Sequence, residues 1–267
     1  MSSLYHYTSL EAFQKMLTGT LSKENQTIAN GSYHERSAVT IHFSHIRYMN
    51  DMMEYEYFNN LLWRSIHHKD SNITETQFSE FVKIIDIFSE PFVLSLSTKA
   101  DFLPMWKMYS DNARGVMVEF DKDELEKVPK KSYNIGKCIY TEDIDEVIVA
   151  KCVQAIHQPR SAVADIINAM DLELRRKLTL YKSPDFDYED EWRLYLNTKI
   201  KLTKTSQGII KLYTDVAIPA TCIKSVTLAP CAPNRDLQKK AIAHLLATKG
   251  LDGKIVRSSK IVGYRNI

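Results

Sequence analysis

The chain mixes segments whose apolar residues recur with the period of a helix and segments that alternate like a strand, and this mixture constrains the fold most. Strands are predicted at about residues 4–8, 39–44, 92–97, 115–120, 191–197, 208–213, 222–228 and 254–257. Helices are predicted at about residues 10–17, 53–66, 75–88, 101–109, 145–180 and 234–250. Because the two types do not alternate strictly, the pattern favours an α+β fold over a doubly wound parallel sheet. We expect one domain over residues 1–267, with residues 145–180 as a helical insertion or cap.

The composition is that of an ordinary globular protein, with 44% hydrophobic and 25% charged residues in a chain of 267. These values exclude the collagen-like, low-complexity and highly charged disordered classes. None of the four cysteines lies in a CxxC pair, so the sequence predicts no structural zinc site. The sequence has no apolar run of ~18 residues and no signal-peptide pattern, so we expect a cytoplasmic protein with reduced thiols and no membrane partner.

The charge is unevenly distributed along the chain. Residues 199–267 contain 13 Lys and Arg against 3 Asp and Glu, a net charge of +10, whereas the whole chain has only +2, so the preceding residues carry −8. Lys199, Lys201, Lys204 and Lys211 lie close after the predicted strand 191–197 and are interleaved with Tyr195 and Tyr213. Lysines interleaved with aromatic residues are typical of a groove for single-stranded nucleic acid, although a solvated basic face has the same composition.

Two polar stretches in the first part of the chain are candidates for a site. His6 and Thr8 are two residues apart on a predicted strand and therefore share one face, where His6 is either a ligand or a hydrogen-bonded, half-buried residue. Asp51 and Glu54 are three residues apart on a predicted helix. They can bind a metal, or they can simply be acids that complement the helix dipole.

A third stretch combines two serines with two aromatic residues. Ser95 and Ser97 share a strand face, and Trp106 and Tyr109 are three apart on the short helix that follows. Together they can line a pocket for a planar ring, and the two aromatic residues can equally be core anchors.

The fourth stretch, residues 188–194, is the most informative. Alternation places Glu189, Glu191 and Arg193 on one strand face. Such residues are poor strand formers, which favours a functional purpose over an exposed charged edge strand. Arg193 can hold one carboxylate by a bidentate bond and leave the other free to act.

The sequence lacks the motifs of several large enzyme classes. GxGxxG, the phosphate-binding P-loop, HExxH and GxSxG are all absent. Dinucleotide binding of the Rossmann type, P-loop hydrolysis, zincin chemistry and the α/β-hydrolase mechanism therefore have no support.

A histidine on an early strand, aromatic residues in mid-chain and a glutamate on a late strand form an order that resembles the ADP-ribosyltransferase superfamily. More closely, the motifs Tyr-His-Tyr-Thr-Ser-Leu, Met-Asn-Asp-x-x-Glu, Ser-x-Ser…Met-Trp-x-x-Tyr and Tyr-Glu-x-Glu-Trp-Arg resemble a bacterial family of domains of unknown function. Members of that family are often associated with phage-defence and toxin-like loci. The resemblance covers about residues 4–230 through short islands.

The resemblance implies a split β-sheet core with surrounding helices and NAD in the cleft between the halves. His6 would hydrogen-bond the NAD ribose, and Thr8 would help to fix that strand or the ligand. Trp106 or Tyr109 would pack on the nicotinamide ring. Tyr109 departs from the family pattern, in which the tyrosine lies on a strand. The residues implied to bind NAD are His6, Thr8, Ser95, Ser97, Trp106, Tyr109 and Arg193.

The resemblance also implies the catalytic residues. Glu191 would hydrogen-bond the nicotinamide ribose and stabilise the positive charge that develops as nicotinamide leaves. Glu189 would act as a general base for the acceptor. No metal is implied.

Three functions stay open at this stage. The first is an NAD-dependent ADP-ribosyltransferase that acts as a toxin or defence effector, modifies RNA or DNA in preference to protein, with RNA favoured, and is neutralised by an antitoxin protein. The second is a metal-dependent nuclease toxin that uses Asp51, Glu54, Glu189 and Glu191. The third is a binding module without catalytic activity.

Overall fold

The computed structural model describes residues 2–19, 37–49, 53–88, 91–130, 132–158, 179–198, 202–206, 208–252, 255–262 and 264. The strands are β1 (Ser3–Thr8), β2 (Ala38–His45), β3 (Pro91–Ser97), β4 (Val116–Asp121), β5 (Asn134–Lys137), β6 (Ile139–Tyr140), β7 (Tyr181–Lys182), β8 (Glu191–Asn197), β9 (Leu202–Ser206), β10 (Ile209–Pro219), β11 (Ile223–Leu228) and β12 (Val256–Ser258). The helices are α1 (Leu10–Thr18), α2 (Met53–Lys69), α3 (Glu75–Phe88), α4 (Leu103–Tyr109), α5 (Lys122–Lys127), α6 (Glu146–Ile156) and α7 (Arg235–Thr248). The predicted α+β class is confirmed.

The main sheet has a fork on one edge of β3. Its strands run in the order β12-β11-β4-β1-β3-β2-β10-β9, and β8 pairs with β3 and β5. Along one edge, β3 pairs with β8 over its whole length, from Pro91 to Ser97. Along the other edge, β1 pairs only with Ser97, and β2 pairs only with Phe92 and Val93. The two strands therefore leave β3 in different directions.

Two hydrophobic clusters support this frame. The larger one packs α1 and α7 against the sheet and is centred on fully buried residues such as Phe13, Phe43 and Phe120. The smaller one lies between α2, α3 and α6 and includes Leu62 and Ile148. Each helix contributes an apolar stripe at helical spacing, which is why the sequence pattern predicts these helices.

Several boundaries differ from the sequence-based expectations. The strand expected at residues 208–213 continues to Pro219, because β10 pairs with β2 along its second half. In the predicted helical region 145–180, the described helix is α6, and residues 159–178 lie outside the described part of the chain. Tyr181 and Lys182 form the strand β7, which pairs in parallel with β6.

No helix in the described ranges has the length and hydrophobicity needed to cross a membrane. The cysteines Cys138, Cys152, Cys222 and Cys231 form no disulfide, and the first three are buried.

Gly115 marks a close approach between β4 and the end of β1. A Cβ atom at this position would lie 2.1 Å from the Thr8 carbonyl oxygen and 3.1 Å from the Ser110 carbonyl oxygen. We expect Gly115→Ala to lower the free energy of unfolding by about 3 kcal/mol, because backbone atoms cannot move aside as a side chain can. Urea unfolding measures this loss.

Gly136→Ala is the matched control. A Cβ atom there would lie 2.6 Å from Cδ1 of Leu180, a side chain that can change rotamer. Its cost should be smaller, about 1 kcal/mol. Equal losses in the two variants would contradict the proposed close approach at Gly115.

Candidate functional site

A cavity of about 380 Å³ lies in the fork between β1 and β2. Strands β1, β2 and β3 and helix α1 form one part of its wall, and α4, the stretch from β7 to β8 and the β9–β10 hairpin form the rest. The residues predicted to bind NAD or to act in catalysis that line it are His6, Thr8, Ser95, Tyr109, Glu189 and Glu191. The structure therefore brings candidates from four separate parts of the chain to one cavity.

Lys182 holds two glutamates together in the wall of this cavity. Its Nζ donates to Oε2 of Glu189 and to Oε2 of Glu191, each at 2.6 Å. All three side chains are almost completely buried. Removing a charge from water costs several kcal/mol, so each buried charge here depends on its partner.

Arg193 also belongs to this ion cluster, although it does not line the cavity. Its Nε donates to Oε1 of Glu191 at 2.9 Å, and its Nη2 donates to Oε2 at 3.3 Å. Its Nη1 donates to the Thr179 carbonyl at 2.6 Å, and Arg193 is fully buried. Among the described residues, the cluster contains two cations and two carboxylates.

A left-handed residue brings Glu189 next to Glu191. The sequence predicts a continuous strand with both on one face, but Glu189 ends a 3-10 helix, Pro184–Glu189, and β8 begins at Glu191. Between them Asp190 has φ 42°, a conformation that Asp tolerates better than most residues. Lys137 pairs with Asp190 at 2.7 Å, and Thr98 also hydrogen-bonds it. The two glutamates therefore converge through a turn and not through strand alternation.

The cations keep Glu191 ionised. Burial by itself would raise the pKa of Glu191, but Arg193 and Lys182 outweigh it and lower that pKa to about 2. Tyr109 donates its hydroxyl to Oε1 of Glu189 at 2.6 Å. Burial, followed by the nearby Glu189 charge, raises the pKa of Tyr109, so its hydroxyl stays protonated and remains a donor.

His6 and Ser95 meet along the edge of β3 that faces the fork, between the residues paired with β1 and those paired with β2. Nδ1 of His6 lies 2.9 Å from the Ser95 carbonyl oxygen, and because a carbonyl only accepts, Nδ1 is the donor. Burial lowers the pKa of His6, which favours the neutral ring with Nε2 as an acceptor. The Ser95 hydroxyl is buried and has no hydrogen-bond partner among the described residues. Both side chains can therefore serve a bound polar molecule.

The aromatic and serine candidates have different locations. Trp106 is fully buried, donates from Nε1 to Asp101 at 2.8 Å and packs edge-on against Tyr7, so it lies in the core and not in the cavity wall. This leaves Tyr109 as the aromatic candidate. Ser97 is also buried, and its hydroxyl donates to the Glu189 carbonyl at 2.5 Å, which positions the turn before β8.

Other predicted residues lie elsewhere or outside the described part of the chain. Asp51 is outside it, and Glu54 lies on α2 with a side chain that is not described. Lys199 and Lys201 are outside it as well. Tyr195 is buried against Val93 and Leu180, so it offers no exposed ring for stacking.

Lys204 and Lys211 face each other across the β9–β10 hairpin and both line the cavity. Burial and the Lys211 charge lower the pKa of Lys204, whose ammonium also lies 5.3 Å from the ring centre of Tyr213. Like charges directly opposite on a sheet are unfavourable. An anionic group bound between the two lysines would remove this repulsion.

Sequence reasoning missed Lys182 and His42, which both line the cavity. Lys182 has no sequence signal, because its role depends on where β7 lies relative to β8. His42 has a weak signal, because it lies with Thr40 and Ser44 on the polar side of the alternation in β2.

Comparison with known families gives one match. Residues 105–194 match the model of a family described as "Protein of unknown function (DUF2971)". This part of the chain is similar to that family, in agreement with the resemblance to a bacterial family of unknown function, and it contains Tyr109, Lys182 and the Glu189–Arg193 stretch. No curated protein and no solved structure matches the chain.

We expect Lys182→Met to lower the free energy of unfolding by about 3–5 kcal/mol, because it leaves Glu189 and Glu191 with one cation fewer in a buried site. Urea unfolding at neutral pH measures the change. Lys137→Met is the control, since it breaks an ion pair whose lysine is half exposed and should cost less than about 1 kcal/mol. A loss below 1 kcal/mol in Lys182→Met would contradict a structural role for the cluster.

Proposed function

We propose that the protein is an NAD-dependent ADP-ribosyltransferase that transfers ADP-ribose to a macromolecule. The observation that carries this proposal is the cavity in the forked sheet, which is lined by both His6 of β1 and Glu191 of β8. The resemblance implies an early histidine and a late glutamate at the cleft of a split sheet, and this shared lining supports it.

The residues in the cavity wall fit the groups that NAD presents. Neutral His6 offers an acceptor for a ribose hydroxyl. The Ser95 hydroxyl, which has no partner among the described residues, offers a further hydrogen bond. Tyr109 supplies an aromatic surface in the same wall, and Thr8 of β1 also lines the cavity. NAD would bring the C–N glycosidic bond that breaks when nicotinamide leaves.

The ionised Glu191 carboxylate suits the chemistry of this bond. As nicotinamide departs, positive charge develops on the ribose, and a carboxylate fixed in place stabilises that charge more than it stabilises the ground state. Lys182 and Arg193 hold the carboxylate rigidly, so little reorganisation is needed at the moment of reaction. Arg193 does not line the cavity but donates to the Glu191 carboxylate, so it acts through Glu191.

The geometry is less favourable to the nuclease alternative. A nuclease would need Glu189 and Glu191 to share a divalent cation, but the ammonium of Lys182 already lies 2.6 Å from both carboxylates. Among the described residues no group of His, Cys, Asp and Glu side chains is arranged to hold a metal. The arrangement therefore supports chemistry through the carboxylate itself.

As part of the same proposal, the protein acts in the cytoplasm as a toxin or defence effector and has a neutralising protein partner. An enzyme that consumes NAD and modifies cell macromolecules harms its host when uncontrolled. A module that only binds would not need an ionised, immobilised carboxylate in a cavity wall.

We expect Glu191→Gln to slow nicotinamide release from NAD at least 100-fold, because the neutral amide cannot stabilise the developing positive charge. Release of labelled nicotinamide measures this rate, and thermal unfolding checks that the variant is folded. His6→Asn, which leaves the ion cluster intact, should raise the KM for NAD. Exposed Glu146→Gln is the control and should keep the wild-type rate.

The same assay separates the alternatives. Activity that is lost to a chelator, restored by Mg²⁺ and independent of NAD would support the nuclease. A protein that neither releases nicotinamide nor cleaves nucleic acid would support the binding module.

We further propose nucleic acid, with RNA favoured over DNA, as the acceptor, because Lys204 and Lys211 place positive charge in the cavity wall. The double variant Lys204→Ala/Lys211→Ala should bind a single-stranded RNA oligonucleotide more weakly than the wild type does. Its affinity should also fall less steeply with salt, by the equivalent of about two phosphate contacts. The double variant Lys239→Ala/Lys240→Ala on α7, whose lysines do not line the cavity, is the matched control. With labelled NAD and cell extract, a product that resists nuclease and is destroyed by protease would contradict a nucleic-acid acceptor.

A further inference from the structure

His42 and Asp215 form a histidine–carboxylate dyad in the cavity wall that the sequence analysis did not identify. They are directly opposite each other on β2 and β10. Nδ1 of His42 hydrogen-bonds Oδ1 of Asp215, and because the carboxylate accepts, Nδ1 carries the proton. Asp215 is buried, and the His42 ring also packs edge-on against Tyr213 at 5.4 Å.

The other ring nitrogen of His42 is unpaired within the described part of the chain. Nε2 of His42 is shielded from bulk water and has no hydrogen-bond partner among the described residues, while the side chain forms part of the cavity wall. A buried acceptor without a partner is unfavourable by itself, so a donor from a bound molecule would complete it. With Nδ1 fixed as the donor to a carboxylate, Nε2 has the form of a general base.

Glu189 is poorly suited to that role. Its Oε1 accepts from Tyr109 and its Oε2 accepts from Lys182, so both oxygens are already engaged in a buried cluster. His42 also lies on the side of β3 opposite β8, next to the hairpin that carries Lys204 and Lys211. The base and the acceptor surface are therefore adjacent, and Glu191 faces the cavity from the other side of β3.

We propose that His42 is the general base that activates the acceptor, and that Asp215 positions it; this rests on the proposed transferase function. The acceptor group X–H approaches Nε2 from the cavity and attacks the ribose carbon that carries nicotinamide. The X–C bond forms, the C–N glycosidic bond breaks, and nicotinamide leaves with the electron pair of that bond. The proton of X–H passes to Nε2, and the resulting imidazolium is stabilised by the Asp215 carboxylate.

Azide provides a direct test, because it is a nucleophile that needs no deprotonation. With water as acceptor, we expect His42→Ala to lower kcat for nicotinamide release by about 10²–10⁴-fold, the range of general-base catalysis. Sodium azide should restore the rate of His42→Ala at least about tenfold, with ADP-ribosyl azide detected by mass spectrometry. Azide should not rescue Glu191→Gln, which lacks the stabilising carboxylate.

Two further variants separate catalysis from structure. Asp215→Asn should lower kcat less than His42→Ala does and should also respond to azide, because it misplaces the base without removing it. His244→Ala removes an exposed histidine on α7 and should leave kcat unchanged.

A spectroscopic readout does not depend on turnover. In ¹⁵N-labelled protein, His42 should be found as the tautomer with a proton on Nδ1 and none on Nε2, and Asp215→Asn should shift this equilibrium. A proton on Nε2 in the neutral ring would overturn the assignment whatever the activity of the enzyme.

The remaining outcomes are distinguishable. If the wild type is active, three results for His42→Ala would overturn the role of His42 and leave the transferase function standing. These are an unchanged kcat, a lowered kcat that azide does not restore, and a change in the KM for NAD without a change in kcat. A wild-type protein that releases no nicotinamide from NAD would refute the proposed function. It would also refute the role of His42 as a general base, which depends on that function.

Discussion

The bridge from Lys182 to Glu189 and Glu191 is the interaction on which the cavity depends. It joins β7 to the turn before β8, and Arg193 anchors the same cluster to the Thr179 carbonyl. Buried charges are tolerated only as a complete set, so the position of each member restricts the others. The cluster thereby fixes one wall of the cavity and keeps a carboxylate ionised within it.

The fork in the sheet creates the space that this cluster faces. Where β1 and β2 diverge, the Ser95 carbonyl accepts from a histidine side chain and not from a neighbouring strand. Unpaired backbone at a sheet edge must be satisfied, and here His6 satisfies it while facing a cavity. The same topology places His42 and Asp215 across β3 from the glutamates.

The topology also places basic residues from the last part of the chain at different ends of the sheet. Lys204 and Lys211 lie at the β9–β10 end of the sheet, beside the cavity, whereas Lys224 and Arg257 lie at the β11–β12 end and pair with Glu119. Basic residues that are neighbours in sequence are therefore separated in the described structure, and those at the β11–β12 end neutralise Glu119 of β4. Among the described residues of this basic block, Lys204 and Lys211 line the cavity.

The sequence by itself determined the elements. Hydrophobic periodicity predicted β8 and α3 with their observed bounds, because period and length are local properties that burial on one face imposes. It also identified His6, Ser95, Tyr109 and both glutamates as unusual. Tertiary structure decided which of them meet. The left-handed Asp190 and the pairing of β7 with β6 bring Glu189, Glu191 and Lys182 together, while packing removes Trp106 into the core. These outcomes depend on contacts between residues far apart in the chain, and no local pattern encodes them.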